Sequence, residues 1–415
     1  MIVMVRIKVL HFGPIKKGLK ENGGFLEIKK VTVFTGDQGA GKSILAKLIS
    51  ALYQLEKMLI SGEIEESEVN TRSKFIKYAA VHNLAVYFRD DKRETIEFRT
   101  NVLHFKLQGG QVSIKLKKRM EYSIAKTLYV PTTRALIGVL HNGVQAGCIP
   151  APLSTFYAEF KDAAIHYSHG ITIPINNLVF EYEPINESAY VSGEDFKLAI
   201  SDVSSGLQSA IPLFVVSKFM AESVEKLESG LFSDSPMACN IVRENPGIYY
   251  LNKSSDLGSF SESMKSMDSE RIGPIITYTS FVNIVEEPEQ NLYPNSQRSI
   301  LYSLLSMNNL SDQNKLLMTT HSPYLINYLT LAVKAEQVSD RLSRVADYKR
   351  IGHIMPPTPF IHGEDLVIYE FEADSGEITR LSTYHGVPSD EHQLNIALGE
   401  FNDMYASLLT LQHLN

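Results

Sequence analysis

A run of eight residues near the N-terminus has the types and the spacing that bind phosphate groups. In order they are Gly36, Asp37, Gln38, Gly39, Ala40, Gly41, Lys42 and Ser43. They fit the pattern G-x-x-x-x-G-K-[ST], in which glycines let the backbone curl so that successive N–H groups point at an anion. Lys42 would reach the β- and γ-phosphates of a nucleoside triphosphate, and the Ser43 hydroxyl would bind Mg²⁺. The pattern therefore predicts a site for ATP and Mg²⁺.

The residues on either side predict the strand and the helix that such a loop requires. Lys30–Thr35 indicates a buried strand, and the apolar spacing from Ile44 to Leu55 is typical of an amphipathic helix whose positive end would face the phosphates. The alternative is a glycine-rich turn between an ordinary strand and an ordinary helix. Residues farther along the chain that could complete the site decide between the two interpretations.

A second segment could supply the acids of a hydrolytic site. The apolar run Ile275–Val285 predicts a strand that leads directly into Glu286, Glu287, Pro288 and Glu289. At the tip of such a strand, Glu286 would hold the Mg²⁺ shell and Glu287 would polarise the attacking water as a general base. Glu286 stands where a Walker B motif usually has Asp, and its longer side chain favours a metal contact through water. Two acids after a strand are a weak signal alone and a stronger one downstream of a phosphate loop.

Two further segments could contact the γ-phosphate. Lys315–Thr320 predicts a buried strand that ends at His321, although an isolated histidine is more often an ordinary surface or core residue. Ser204, Ser205 and Gly206 precede an apolar run, and Ser205 as the N-cap would leave the N–H groups of a helix start open to an anion. The alternative for this segment is an ordinary capped helix.

The composition is that of a folded protein without a general affinity for nucleic acid. The chain has 415 residues, of which 44% are hydrophobic and 21% charged, and its net charge is −7. The basic run Lys115–Arg119 is interpreted as the solvated end of a strand. Cys148 and Cys239 have no metal-ligand spacing, and neither an apolar run of ~20 residues nor a signal-peptide cleavage site occurs. We therefore expect a cytoplasmic protein without a disulfide framework, a zinc site or a membrane span.

The pattern along the chain predicts an α/β fold of the P-loop NTPase class, with a mixed central sheet, an antiparallel β meander and a helical lobe. Residues 1–152 would form the first part of the ATPase core, and residues 153–270 the helical lobe with a mobile insertion. Residues 271–335 would complete the core. In residues 336–415, strands and a helix are expected to pack on that core.

Finer expectations concern individual strands of the first part. The alternating segments 84–88, 95–99, 103–107 and 112–116 predict the strands of the meander, and residues 1–7 predict an edge strand.

The remaining parts also carry specific expectations. The lobe should be mostly helical up to residue 230, with one extended break around 178–183 and a surface insertion at 252–270. Strands are expected at 365–371 and 377–382, and a closing helix near 391–413.

Taken in order, these motifs resemble those of ABC-class ATPases that are not transporters, namely the SMC/RecF group and especially the OLD-like ATPases. The resemblance covers roughly residues 1–335. It is carried by Phe12-Gly13-Pro14, Tyr129-Val130-Pro131-Thr132-Thr133-Arg134, Ser204-Ser205-Gly206, Glu286 to Pro294, and Thr320-His321-Ser322-Pro323. Asn291 and Tyr293 stand where the family pattern near the acids has histidines, and Leu207 stands where transporters carry a second signature glycine.

The resemblance implies a head-to-tail sandwich formed by two copies of the chain. Each ATP would lie between Lys42 and Ser43 of one subunit and the Ser205–Gly206 helix start of the other. Glu287 would activate water, and His321 would touch the γ-phosphate. Binding of ATP would hold the copies together, and hydrolysis would release them.

The resemblance also bears on partners. OLD-like proteins often carry a C-terminal Toprim nuclease domain, but its glycine and paired aspartates do not follow the predicted strand at Asp365–Glu370. We therefore expect a separate effector chain, such as a nuclease, as in two-gene bacterial anti-phage systems.

Gln145 is the candidate for the glutamine of the family's Q-loop. The main alternative is a RecF/SMC-like DNA-repair ATPase that acts directly on DNA; a transporter subunit and a small-molecule kinase fit the motifs less well.

Overall fold

The structure is a computed structural model, and it describes residues 4–119, 121–140, 149–229, 249–250, 275–342 and 345–412. The α-helices in these ranges are α1 (Lys42–Ser61), α2 (Arg72–Val81), α3 (Ile137–Leu140), α4 (Ala151–His166), α5 (Ser205–Ser229), α6 (Pro294–Asn308), α7 (Pro323–Ser339), α8 (Val345–Ile354) and α9 (Gln393–Gln412). The β-strands are β1 (Val5–Leu10), β2 (Gly18–Leu19), β3 (Phe25–Ile28), β4 (Val31–Gly36), β5 (Thr95–Arg99), β6 (Leu103–Gln108), β7 (Gln111–Leu116), β8 (Glu121–Val130), β9 (Ile171–Thr172), β10 (Val179–Glu183), β11 (Ser188–Ser192), β12 (Lys197–Ala199), β13 (Tyr249–Tyr250), β14 (Ile275–Glu286), β15 (Lys315–Thr319), β16 (Leu366–Phe371), β17 (Glu377–Arg380), β18 (Thr383–Tyr384) and β19 (Val387–Pro388). Gln145, both cysteines and the segment 252–270 lie outside the described residues.

The central sheet is mixed, and its parallel part positions the candidate site. The strand order is β8-β14-β15-β4-β16-β17-β2, and β13 pairs with the beginning of β14. The strands β8, β14, β15, β4 and β16 are all parallel, whereas β17 runs antiparallel to β16. Apolar side chains dominate these strands because both faces of a parallel sheet are covered.

The register of the parallel strands brings the predicted motifs to one edge of this sheet. Glu286, the last residue of β14, pairs with Thr319 of β15, and Thr319 pairs with Phe34 of β4. On the other side of β4, Gly36 pairs with Phe371. Glu286, the end of β15 two residues before His321, and Phe34, two residues before the first glycine of the phosphate loop, therefore lie at the same level.

A five-stranded antiparallel sheet packs on one side of the central sheet, in the order β3-β1-β5-β6-β7. It contains the predicted meander, but two expectations about it were wrong. The N-terminal strand is not at an edge, because β3 pairs with one side of it and β5 with the other.

The segment 84–88 is also not a strand, since a short 3-10 helix spans Ala85–Tyr87. The apolar side chains Leu84, Tyr87 and Phe88 are spaced three and four residues apart, which is a helical spacing rather than alternation. Tyr87 and Phe88 both pack edge-on against Phe12.

The predicted helical lobe contains more β-structure than expected. In addition to α4 and α5, it holds a four-stranded antiparallel sheet in the order β12-β11-β10-β9. Only one extended break, near β10, was expected. Residues in β10 and β11 alternate between buried and half-buried, as strands do when one face covers a core.

Two hydrophobic cores cover the two faces of the central sheet. On one face, alternate residues such as Val33, Val285 and Met318 pack against α4, α5, α6 and α7. On the other face, Phe34, Ile284 and their neighbours pack against α1 and the antiparallel sheet. The sheet is therefore the middle layer of the fold.

The C-terminal strands complete this sheet, while the closing helix extends away from it. Strand β16 lies directly beside β4, so the tail pairs with the core sheet as expected. In contrast, α9 contacts the core at its first turn, where Leu394 is partly buried, and the expectation that the helix packs on the core is not met beyond that turn. Within the described ranges, no helix combines the length and the apolar character that crossing a bilayer would require.

Candidate nucleotide site

The phosphate loop joins β4 to α1, as the sequence predicted, and its glycines are required by geometry. Gly36 has φ of 124° and Gly41, at the N-cap of α1, has φ of 106°, both in the region that L side chains avoid. A Cβ on Gly36 would lie 2.1 Å from the Phe371 carbonyl oxygen. The close pairing of β4 with β16 therefore leaves room only for glycine at that position.

Lys42 is almost completely buried at the start of α1, with 4% of its surface exposed. Its Nζ donates to the carbonyl oxygens of Gly36 at 2.7 Å and Asp37 at 2.5 Å. Burial lowers the pKa of Lys42 to about 8, although the nearby carboxylates of Glu287, Asp37 and Glu289 favour the charged form. Phosphate oxygens are stronger hydrogen-bond acceptors than these neutral carbonyl oxygens. When an anion binds in the loop, the Lys42 ammonium would therefore donate to the anion in place of the carbonyls.

The rest of the loop is open to solvent on the side where a nucleotide would lie. Asp37, Gln38 and Gly39 are exposed, whereas Ala40 is buried and Ser43 is half-buried.

Glu286 is held in a polar setting that suits a metal ligand. The side chain is 2% exposed, and Oε2 accepts a hydrogen bond from the backbone N–H of Thr132 at 3.2 Å. Oε1 is buried, and among the described residues the Tyr129 hydroxyl lies beside the carboxylate, without a standard hydrogen bond to Oε1. A buried carboxylate oxygen so sparsely bonded can accept a further ligand. With the Ser43 hydroxyl at the start of α1, Glu286 offers the oxygen ligands that Mg²⁺ takes beside substrate phosphates.

Glu287 and His321 lie next to each other at the open side of the same edge. Oε1 of Glu287 is 3.7 Å from Nε2 of His321, and each side chain is about one-third exposed, at 33% and 31%. Burial and the Lys42 ammonium lower the pKa of His321, which keeps the imidazole neutral at neutral pH. Glu287 has φ of 43°, an uncommon conformation that points to a functional constraint. Its N–H donates to the Thr319 carbonyl at 3.0 Å, which ties the turn to β15.

Arg134 holds several parts of the site together. From the sequence it was identified only as the last residue of the motif Tyr129 to Arg134, and this role was not indicated. Its guanidinium is fully buried and donates to the carbonyl oxygens of Glu286 at 2.6 Å and Glu287 at 2.6 Å. It also donates to the carbonyls of Pro131 at 3.1 Å and Ser209 at 3.2 Å. Burial lowers the pKa of Arg134 to about 10, and the neighbouring glutamates oppose the shift. One side chain thus connects the end of β8, the acids and the first turns of α5.

Glu289 positions His321 rather than the nucleotide, and the sequence did not indicate this role. Its Oε1 accepts hydrogen bonds from the Thr320 hydroxyl at 2.8 Å and from the His321 N–H at 2.7 Å. Burial raises the pKa of Glu289. The sequence does place Glu289 two residues after Glu287, but the residues that donate hydrogen bonds to Glu289 lie more than thirty positions farther along the chain.

The start of α5 is arranged differently from the prediction. The helix begins at Ser205, and the Gln208 N–H donates to the Ser204 carbonyl at 3.0 Å, so Ser204 and not Ser205 occupies the N-cap. Gly206 is required because a Cβ there would lie 2.5 Å from the Asn291 carbonyl oxygen. Its small size therefore serves close packing on the loop that follows the acids of the same chain.

The structure unites the loop, the acids and His321, but not the start of α5. Ser204 and Ser205 are exposed. In the described part of the chain, no hydrogen bond joins Ser204, Ser205 or Gly206 to residues 36–43.

A comparison with protein families supports this assignment over a short segment. Residues 282–327 match a family model described as an AAA domain, putative AbiEii toxin, Type IV TA system. The matched segment includes Glu286, Glu287 and His321. No curated protein matches the chain. The fold is that of a P-loop NTPase, and the matched segment supports an ATPase of the ABC/AAA type.

Solved structures resemble the chain only distantly. An SMC head bound to the C-winged helix domain of ScpA is 10% identical, with a TM-score of 0.38 over 92% of this chain and 96% of that chain. The SMC head domain from Thermotoga maritima is 10% identical, with a TM-score of 0.35 over 92% of this chain and 99% of that one. An Smc head domain with an extended coiled coil, bound to the C-terminal domain of ScpA derived from Pyrococcus furiosus, is 9% identical with a TM-score of 0.35, over 97% and 98% of the two chains. TM-scores this low say nothing further about the chain.

Proposed function

We propose that this protein is an ATP-hydrolysing switch whose nucleotide site is completed by a second copy of the chain. The observation that carries the proposal is an asymmetry in the site. Lys42, Glu287 and His321 meet at one edge of the central sheet, whereas Ser204 and Ser205 at the start of α5 are exposed and make no hydrogen bond to the loop of their own chain in the part that the structure describes. In a head-to-tail pair, N–H groups of that helix start would bind the γ-phosphate of the partner's ATP.

The reaction follows from the positions of the side chains. Lys42 would bind the β- and γ-phosphates, while Ser43 and Glu286 would hold Mg²⁺, which neutralises charge on the phosphates. Glu287 would accept a proton from water as the water oxygen forms a bond to the γ-phosphorus. The bond from that phosphorus to the β–γ bridging oxygen breaks, and ADP and phosphate result. Neutral His321, held by Glu289, would donate a hydrogen bond to the γ-phosphate.

The consequence of ATP binding would be assembly, and the output would belong to another protein. Strand β16 pairs with β4 and so belongs to the central sheet. We propose a sensor or scaffold that works in the cytoplasm and controls a separate effector, such as a nuclease, in bacterial anti-phage defence. The family named for a toxin of a TA system and the OLD-like motifs support this setting by analogy.

A complementation experiment tests the shared site directly. Lys42→Ala removes the phosphate contact of one half-site, and Ser205→Glu places a negative charge where the partner's γ-phosphate would lie. Glutamate is well tolerated in the first turn of a helix, so Ser205→Glu should fold normally. We expect each variant alone to lose ATPase activity. A one-to-one mixture should recover roughly a quarter of the wild-type rate, since half of the pairs would be mixed and each mixed pair would hold one intact site.

The matched control adds the same charge at the start of a different helix. Ser154 is an exposed serine in the first turn of α4, and Ser154→Glu should leave the rate unchanged. Glu287→Gln should bind ATP without hydrolysing it, and light scattering should then find a stable pair. Normal activity of Ser205→Glu, or no recovery in the mixture, would show that each chain acts alone.

A further inference from the structure

The C-terminal helix α9 is attached to the core at its beginning and exposed along the rest of its length. His392 is buried, and both its carbonyl and its Nδ1 accept a hydrogen bond from the Asn395 N–H. The Gln393 N–H donates to Oε1 of Glu370 on β16 at 2.9 Å. From Ile396 to Gln412 every residue is exposed. At 1.5 Å per residue, roughly 25 Å of helix extends beyond the attachment.

The exposed part of α9 is strongly apolar, with a pattern of its own. Apolar residues recur at alternating spacings of three and four, as at positions a and d of a heptad repeat. They are Ala397, Phe401, Met404, Leu408 and Leu411; Leu394 continues the same spacing in the first turn, where it packs partly buried against the core. Leu398 and Tyr405 widen this stripe, as in helices that pack in bundles.

The opposite side of α9 has a different character. Asn395, Gly399, Asn402 and Ala406 lie there at heptad positions b and f. Leu409 is the exception at a b position, and the other four b and f residues are small or polar, so most of the large apolar residues lie on one side of the helix.

The apolar area is large for an isolated surface and about right for an interface. Eight large apolar side chains of α9 are between 41% and 68% exposed. They are Ile396, Leu398, Phe401, Met404, Tyr405, Leu408, Leu409 and Leu411. At roughly 100 Å² each they present roughly 800 Å², of which the six at positions a, d and e supply roughly 600 Å², at the upper end of the apolar patches of monomers and about three quarters of what one partner buries in a standard interface.

The charge of α9 narrows the kind of partner. Glu400 and Asp403 are the only charged residues between positions 393 and 412, so the helix carries no Lys or Arg. Helices that lie on anionic membranes or bind nucleic acid need basic residues, and this helix has none. An uncharged apolar stripe is complementary to an identical stripe. A second copy of the chain, related to the first by a two-fold axis, carries that identical stripe.

We propose that α9 pairs with α9 of a second copy of this chain and forms a dimer that does not require nucleotide. This contact is distinct from the ATP-mediated one. Because Glu370, which anchors α9, pairs with Thr35 just before the phosphate loop, the helix emerges close to the nucleotide edge. Copies joined through α9 would therefore keep two nucleotide sites at a high effective concentration.

Sedimentation analysis of the full chain without nucleotide tests the proposal. We expect the wild type to sediment as two chains at micromolar concentration. The double variant Phe401→Glu, Leu408→Glu places charges at two a positions and should halve the mass to one chain. Its matched control, Asn402→Glu, Ala406→Glu, adds the same two charges on the opposite side and should remain a dimer.

Circular dichroism and the thermal midpoint separate loss of pairing from loss of folding, since none of the four positions is buried. A monomeric wild type without nucleotide would overturn the proposal, and so would a dimer that the double variant leaves intact. A wild type that is monomeric alone but binds an effector protein through α9 would also overturn it, in favour of a different occupant. None of these results depends on ATP, so the shared nucleotide site stands or falls separately.

Discussion

The two sides of the nucleotide cleft are built in opposite ways. The phosphate side is one continuous segment, Gly36 to Ser43, whose shape is set by backbone conformation and by the helix that follows. The acidic side is assembled from β8, β14, β15 and α5. Its residues are joined by side-chain hydrogen bonds that span up to 154 positions, as between Thr132 and Glu286.

This difference determines which residues on each side are most sensitive to substitution. On the phosphate side the sensitive groups are glycines, because an added Cβ meets backbone that cannot move. On the acidic side the sensitive groups are buried polar side chains, because removing one leaves several partners unsatisfied in a medium of low polarity. Substitutions on the two sides should therefore fail for different reasons and by different amounts.

The largest effect is expected on the acidic side, at Arg134. Arg134→Met fits the buried space but removes the guanidinium donor from four carbonyl oxygens, of which that of Pro131 keeps the backbone N–H of residue 134, and it removes the positive charge beside the glutamates. We expect the free energy of unfolding to fall by about 4 kcal/mol, measured by urea denaturation. Arg93→Met, at an arginine whose side chain is 67% exposed, is the control and should change it by about 0.5 kcal/mol or less. Equal effects of the two substitutions would mean that Arg134 does not hold the acidic side together.

On the phosphate side, two glycines should respond very differently to the same methyl group. Gly36→Ala forces a Cβ to 2.1 Å from the Phe371 carbonyl at φ of 124°, and we expect a loss of about 3 kcal/mol. Gly39 has φ of 78° but nothing within 4 Å of an added Cβ, so Gly39→Ala should cost about 1 kcal/mol. Thermal unfolding of both variants measures the difference. Similar losses would show that conformation alone, and not the approach of β16, requires Gly36.

The same contrast explains what could be predicted from the sequence. The phosphate loop is contiguous, so residue types and spacing were sufficient to predict its strand, its turn and its helix. The sequence also predicted that the acids and His321 lie at strand ends, because the acids follow one apolar strand and His321 follows the next. The roles of Arg134 and Glu289 were not predicted, since their partners become neighbours only when β8, β14, β15 and α5 come together.

Two errors about elements have a related origin. The strands β9, β10, β11 and β12 are short, between two and five residues. Their alternation of apolar and polar residues was therefore too brief to be recognised in a segment that contains long helices. For α9, an apolar stripe predicts that a helix packs, but it does not say whether the surface it meets belongs to the same chain.

Glu289 tests whether hydrogen bonding or charge matters more on the acidic side. Glu289→Ala removes the acceptor for Thr320 and the His321 N–H, and we expect a loss of about 2 kcal/mol together with slower ATP hydrolysis. Glu289→Gln retains an oxygen in the same place, so the free energy of unfolding should change by about 0.5 kcal/mol or less. Urea denaturation and steady-state phosphate release report the two effects. If the Gln variant were as damaged as the Ala variant, the carboxylate charge would be the important property.

The smallest effect concerns the proton on Lys42, a residue of the phosphate side whose charged form is also favoured by Glu287 and Glu289 on the acidic side. Because burial lowers the pKa of Lys42 to about 8 in the free protein, roughly half of the molecules carry an uncharged lysine at pH 8. Bound phosphates favour the ammonium and raise that pKa, so ATP binding at pH 8 should take up about 0.5 proton, and affinity should fall as the pH rises further. Calorimetry in two buffers of different ionisation enthalpy measures the uptake. Lys42→Arg is the control, because its guanidinium stays protonated and leaves only the proton exchange of ATP itself. Equal uptake by wild type and Lys42→Arg would mean that Lys42 is already charged before the nucleotide binds.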